Sequence, residues 1–179
     1  ERALIREAEQ TAAAKEVGVT DLTFLRLPDG QVEVTLALRK EIARVIRHHR
    51  PDLVIAQNPE RNYERVFSSH PDHMAVGEAT LRAVYPDARN PHAFTELVRE
   101  GFAPHVVSEV WLSGASPTMV VDITKTIDQK IAALKRHVSQ IGDREDLEPM
   151  MRTWARATAK SAGLKKPQLA EAFRVVVTK

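Results

Sequence analysis

The sequence contains no cysteine. Disulfides and thiolate metal sites are therefore excluded, and any metal must be held by histidine and carboxylate. Net charge is also scarce: 26 basic residues face 24 acidic ones, a formal charge of +2. The pI of about 9.0 is then weak support for a nucleic-acid partner, and none is expected. No apolar run approaches the length of a membrane span. No internal repeat and no low-complexity linker divides the chain. The first residue is Glu1 rather than a methionine, and residues 1–17 already read as helix. The chain is therefore expected to begin inside a domain. A cytoplasmic location is expected, with an upstream targeting segment left open.

What is present suits an ordinary globular protein. Hydrophobic residues make up 43% and charged residues 28% of 179, enough for one domain, 1–179, with a sizeable core. Leu4, Ile5, Ala8, Ala12 and Val17 lie close to a helical stripe that Gly18 stops. Leu22 to Leu27 reads as a short strand, ended by the turn Pro28-Asp29-Gly30. Thr35 can cap a helix whose apolar face is Leu38, Ile42, Val45 and Ile46. Arg50-Pro51-Asp52 breaks it. Leu53 to Ala56 is a short continuous apolar run, the pattern of a strand buried on both faces.

A polar loop over 57–69 follows, then a helix from about Pro71 to Val84. Pro86, Pro91 and Pro104 mark a loop. Val106 to Leu112 and Met119 to Ile123 read as strands. Thr124 is placed to cap a helix bearing Ile127, Ile131, Leu134 and Val138. One or two amphipathic helices and a last strand, Phe173 to Val177, complete the chain. The segment 143–168, rich in Arg and Met, reads as a lid, a dimer contact or a solvated helix. Strands alternating with helices predict an α/β fold with a mostly parallel sheet and helices on both faces.

The sharpest motif is His70-Pro71-Asp72-His73, which follows the apolar strand and opens a helix. Ligands in open α/β sheets bind beyond the carboxyl ends of the strands. Two imidazoles and a carboxylate there suit a metal or acid–base site. Asp72 could fix the tautomer of a neighbouring imidazole. The plain alternative is a surface helix start with an ordinary capping role. The other histidines carry less. His48 and His49 suit a helix C-terminus, His92 and His105 lie in loops, and His137 sits on a packed helix.

With Arg50-Pro51-Asp52-Leu53-Val54-Ile55 and Asn58-Pro59 before it, His70-Pro71-Asp72-His73 resembles the central segment of the LmbE-like (PIG-L-like) deacetylases. Arg6 and Glu9 are similar to that family's R-x-x-E helix, and Pro28-Asp29-Gly30 to its turn. Val121-Asp122-Ile123-Thr124, His137-Val138-Ser139-Gln140 and Ala170 to Val175 match its later segments.

The resemblance implies a Rossmann-like sheet and removal of an acetyl group from an N-acetylglucosamine-type conjugate by metal-activated water. The metal is usually Zn2+, another divalent ion being the alternative. It implies His73 as a metal ligand. His70 would be the group facing the acyl carbonyl and the leaving amine, supported by Asp72. Arg6 and Asp29 would contact the sugar. The family's A-H-P-D-D-E run, which supplies further ligands and a general base, does not occur here. An N-terminal strand and helix are accordingly expected to be missing from the sequence. The alternative is a catalytically incomplete homologue that binds a sugar or partner without turnover. Homo-oligomers occur among relatives, so one is a candidate state here.

Overall fold

The computed structural model describes residues 1–142 and 144–179. Asp143, the first residue of the Arg- and Met-rich segment, lies outside the described residues. The chain forms two compact units, one of Glu1–Arg26 with Val120–Ala172, the other of Leu27–Met119 with Phe173–Lys179. No described helix is long and apolar enough to cross a membrane.

The first unit holds α1 (Arg2–Glu16), β3 (Met119–Asp122), α5 (Ile127–Lys135), α6 (Val138–Ile141) and α7 (Leu147–Ser161). Its core gathers Ile123, Ile127, Ile131, Ala155 and Leu169. The helical spacing of Ile127 and Ile131 puts both on one face of α5, as the sequence predicts, but the helix ends at Lys135, and Val138, predicted on the same face, starts α6 and is 62% exposed. α5 also begins later than predicted, with Thr126 rather than Thr124 at its cap. The Asp122 carboxylate explains the shift. It accepts the Thr124 N–H at 2.8 Å and the Thr124 hydroxyl, which holds residues 122–124 in a side-chain-closed turn.

The strand predicted at 22–27 does not form. A strand exists through its ladder, and none of the described strands pairs with this segment. Arg26 also adopts a left-handed φ of 55°, which interrupts an extended run.

The second unit holds α2 (Leu36–His49), β1 (Leu53–Gln57), α3 (Pro71–Arg82), α4 (Thr95–Arg99) and β2 (Glu109–Ser113). The Thr35 hydroxyl accepts the Leu38 N–H at 3.1 Å, the expected cap of α2. Ala43, Ile46, Ala56, Val84, Leu97, Val110 and Leu112 form the core. The four strands make one sheet, ordered β1-β2-β4-β3, with β4 (Ala170–Val177) beginning in the first unit and ending in the second. β1 runs parallel to β2, from Leu53 opposite Glu109 to Gln57 opposite Ser113. β2 and β4 are antiparallel.

Burial of β1 on both faces is not observed. Ala56 is buried, whereas Ile55 is 60% exposed. Neighbouring strand residues face opposite ways, and the face carrying Ala56 is the one that packs into the core.

The proline-bearing stretch after α3 is ordered by Arg47, which is 2% exposed. Its guanidinium donates to the carbonyls of Asp87 at 2.8 Å, Ala88 at 3.1 Å, and Asn90 and Ala93 at 3.0 Å. Burial lowers the Arg47 pKa, with nearby Asp87 and Glu96 opposing that shift. Arg39 adds a two-pronged pair to the Asp87 carboxylate, at 2.7 and 2.8 Å.

α3 is held close to β1. A Cβ at Gly77 would lie 2.3 Å from the Gln57 carbonyl oxygen, so only glycine allows that approach. This contact packs α3 against the last residue of β1 and the loop that follows it.

Candidate metal and acyl-transfer site

Pro71 occupies the first helical position of α3, where its missing N–H costs nothing and its φ suits the helix. His70 is the N-cap. Its Nδ1 accepts the Asp72 N–H at 3.2 Å. A neutral imidazole that accepts at Nδ1 carries its proton on Nε2. The capping bond therefore leaves Nε2 as a hydrogen-bond donor.

Asp72 is buried, 8% exposed. Its Oδ2 accepts the Gly30 N–H at 2.6 Å, and its Oδ1 the Val32 N–H at 3.3 Å. The expected support of His70 by Asp72 thus runs through the Asp72 backbone, while the carboxylate holds the Pro28-Asp29-Gly30 turn. Gly30, at φ +78°, makes that turn possible. The helix N-terminus favours a carboxylate at this position.

The turn carries exposed Asp29 to the same place. Among the described residues, ligand atoms of Asp29, His70 and Asp72 lie within 4.8 Å of one another. His73 stands outside that group. Its ring is exposed, with its centroid 5.3 Å from that of His70.

Arg6 belongs to the first unit, exposed on α1, and is not part of this cluster. Its neighbour in the R-x-x-E motif, Glu9, accepts the Ser139 N–H at 2.5 Å and the Ser139 hydroxyl at 2.7 Å. These bonds, the backbone one foremost, lower the Glu9 pKa. The motif's glutamate therefore ties α6 to α1. Sequence reasoning missed this, because the partners lie 130 residues apart.

Comparison with known proteins settles the relationship. The family described as PIG-L, GlcNAc-PI de-N-acetylase, matches residues 1–84. A diacetylchitobiose deacetylase of Thermococcus kodakarensis is 32% identical over 166 residues, which are 91% of this chain and 60% of that protein. The chain is similar to the PIG-L-like deacetylases along most of its length. A probable N-acetyl-alpha-D-glucosaminyl L-malate deacetylase 2 of Bacillus subtilis is 29% identical to this PIG-L-like chain, over 84% of the chain and 67% of the relative. Among solved structures, N,N'-diacetylchitobiose deacetylase from Pyrococcus horikoshii superposes with a TM-score of 0.85 at 29% identity, covering 98% of this chain and 64% of that one. The PIG-L-like chain thus spans about three fifths of the Thermococcus relative's length.

The likeness to this family implies a divalent metal, and the donor chemistry fits one. Imidazole and carboxylate are ligand types zinc takes, at about 2.0–2.2 Å. The His73 imidazole, exposed and 5.3 Å ring to ring from His70, supplies one such donor beside the Asp29 carboxylate and His70.

Proposed function

We propose that this PIG-L-like chain is the larger part of a metal-dependent hydrolase that removes an acetyl group from an N-acetylglucosamine-type conjugate. The observation that carries the reading is the His70 cap. The helix start directs one imidazole nitrogen to the backbone and leaves Nε2–H as a donor beside Asp29.

His73 would hold the ion, Zn2+ or another divalent metal, next to that donor. Such an ion supplies Lewis acidity, polarising an amide carbonyl and bringing the pKa of water to about 7. In the reaction, water adds to the acyl carbon, the C–N bond breaks, and acetate and a protonated amine result. His70 Nε2–H would stabilise the oxygen that gains charge and pass its proton to the departing nitrogen. Asp29, on the turn held by Asp72, would meet the sugar. The relatives' names, which specify N-acetyl-sugar deacetylation, support the substrate class.

The test is acetate release from N-acetylglucosamine by the full-length protein with zinc added, for the parent sequence and for His70→Ala and His73→Ala. Loss of a general acid is expected to lower turnover by about 10²–10⁴-fold. The His73 variant is expected also to lose bound zinc, measured by metal analysis. Turnover equal to the parent in both variants rejects the reading. Sugar binding with no acetate release from the parent supports the catalytically incomplete alternative.

A further inference from the structure

Residues 61–70 run through solvent with one exception. Ser69 is 6% exposed, and every other residue of that stretch is exposed. It stands immediately before His70. A buried hydroxyl needs a hydrogen-bond partner, and this one has it. The Asn62 N–H donates to Ser69 Oγ at 2.8 Å. The Ser69 N–H donates to the Val66 carbonyl at 2.9 Å, behind the 3₁₀ turn Val66–Ser68. Both groups therefore reach back into the loop.

The part of the loop they reach is itself closed. Asn62 Oδ1 accepts the N–H groups of Glu64 and Arg65, each at 3.0 Å, a side-chain turn that fixes residue 62. The Ser68 hydroxyl donates to the Arg65 carbonyl at 2.7 Å. His70 makes the opposite set of bonds. Its Nδ1 accepts the Asp72 N–H at 3.2 Å and its carbonyl the Met74 N–H at 3.1 Å, both from α3. The peptide between residues 69 and 70 is thus clamped by the loop on one side and by the helix on the other. The cap bond to Nδ1 lies at the long end of the hydrogen-bond range. Alone it holds the ring weakly, so the shorter bond at Ser69 matters to where the ring points.

We infer that Ser69 is a positioning residue for His70. Its hydroxyl fixes how the chain enters α3. That keeps His70 Nδ1 on the Asp72 amide and leaves Nε2–H as the donor. The consequence for turnover rests on the deacetylase reading above. A donor held in place beforehand needs no reorganisation during the reaction, and a small misplacement of such a group costs rate.

The test uses the full-length protein with its Ser69→Ala and Ser69→Thr variants. Imidazole nitrogen NMR, recorded before zinc is added and in mildly alkaline buffer where imidazole is neutral, distinguishes the nitrogen that accepts from the one that bears the proton. In the parent and in Ser69→Thr, which keeps an acceptor oxygen, the two His70 nitrogens should stay well separated in shift. In Ser69→Ala they should move toward each other as the ring exchanges between tautomers, and the Asp72 amide should exchange faster. With zinc added, Ser69→Ala should release acetate with kcat about tenfold lower and KM unchanged, and Ser69→Thr should match the parent. A role in stability alone predicts a lower melting temperature with the His70 nitrogen shifts and kcat of the parent, and that result overturns the positioning role. A folded threonine variant that behaves like the alanine one overturns it too. If threonine prevents folding, the nitrogen shifts of Ser69→Ala decide. No acetate release from the parent rejects the deacetylase reading, and the shifts still decide whether Ser69 holds the ring.

Discussion

The Asp72 carboxylate accepts the Gly30 N–H at 2.6 Å, joining residues 42 apart in sequence. Through this bond the start of α3 and the turn bearing Asp29 form one piece. Hydrogen bonds to a charged acceptor contribute about 1.5–3 kcal/mol. Asp72→Ala is therefore expected to destabilise the chain by about 2 kcal/mol and to speed exchange of the Gly30 amide. Denaturant titration and hydrogen exchange measure the two effects. Unchanged Gly30 protection would mean that the turn is held by something else.

Arg47 serves five carbonyls from a buried position. Removing it leaves acceptors without donors, at about 1–3 kcal/mol for each one kept from water. Arg47→Met is expected to cost at least about 3 kcal/mol. Arg47→Lys should recover little, because an ammonium cannot reproduce the planar fork. A lysine variant as stable as the parent in urea would refute the geometric argument.

Gly77 sits where any Cβ would meet the Gln57 carbonyl at 2.3 Å. That oxygen belongs to backbone, so α3 must shift from β1 to admit alanine. Overpacking of this kind costs about 1–3 kcal/mol. Gly77→Ala is expected to lower the melting temperature and also acetate release, since His70 rides on α3. Thermal melts and the release assay check both, and an unaltered melt contradicts the close approach.

Glu9 has its pKa lowered by the bonds from Ser139. A carboxylate with a depressed folded pKa contributes stability above its unfolded value, about 4.3 for glutamate. That contribution disappears as pH falls through the lower folded value. The stability difference between the parent and Glu9→Gln should therefore be constant from pH 7 to about 5 and shrink below it. A difference that stays level down to pH 3 would show that the charge on Glu9 is immaterial to the clamp.

Much of the site's local architecture was legible in the sequence. Thr35, Pro71, Gly18 and Pro51 act within a few residues of themselves, through caps, ring geometry and helix termination. The apolar spacing on α2 and α5 reports which face is buried. Two other expectations depended on partners. Residues 22–27 have strand-like composition but no ladder. Thr124 has cap chemistry, yet the Asp122 carboxylate takes its hydroxyl and its N–H.

By itself, then, the sequence determined that His70-Pro71-Asp72-His73 starts a helix after an apolar strand, and that any metal must be held without thiolates. Only the tertiary structure decided that the Asp72 carboxylate reaches Gly30 and Val32, that Asp29 gathers with His70 and Asp72, and that Ile55 stands in solvent. The physical reason is range. Caps and turns are set by bonds between residues up to about four apart, whereas a buried carboxylate takes the nearest donors that folding brings to it, however distant along the chain.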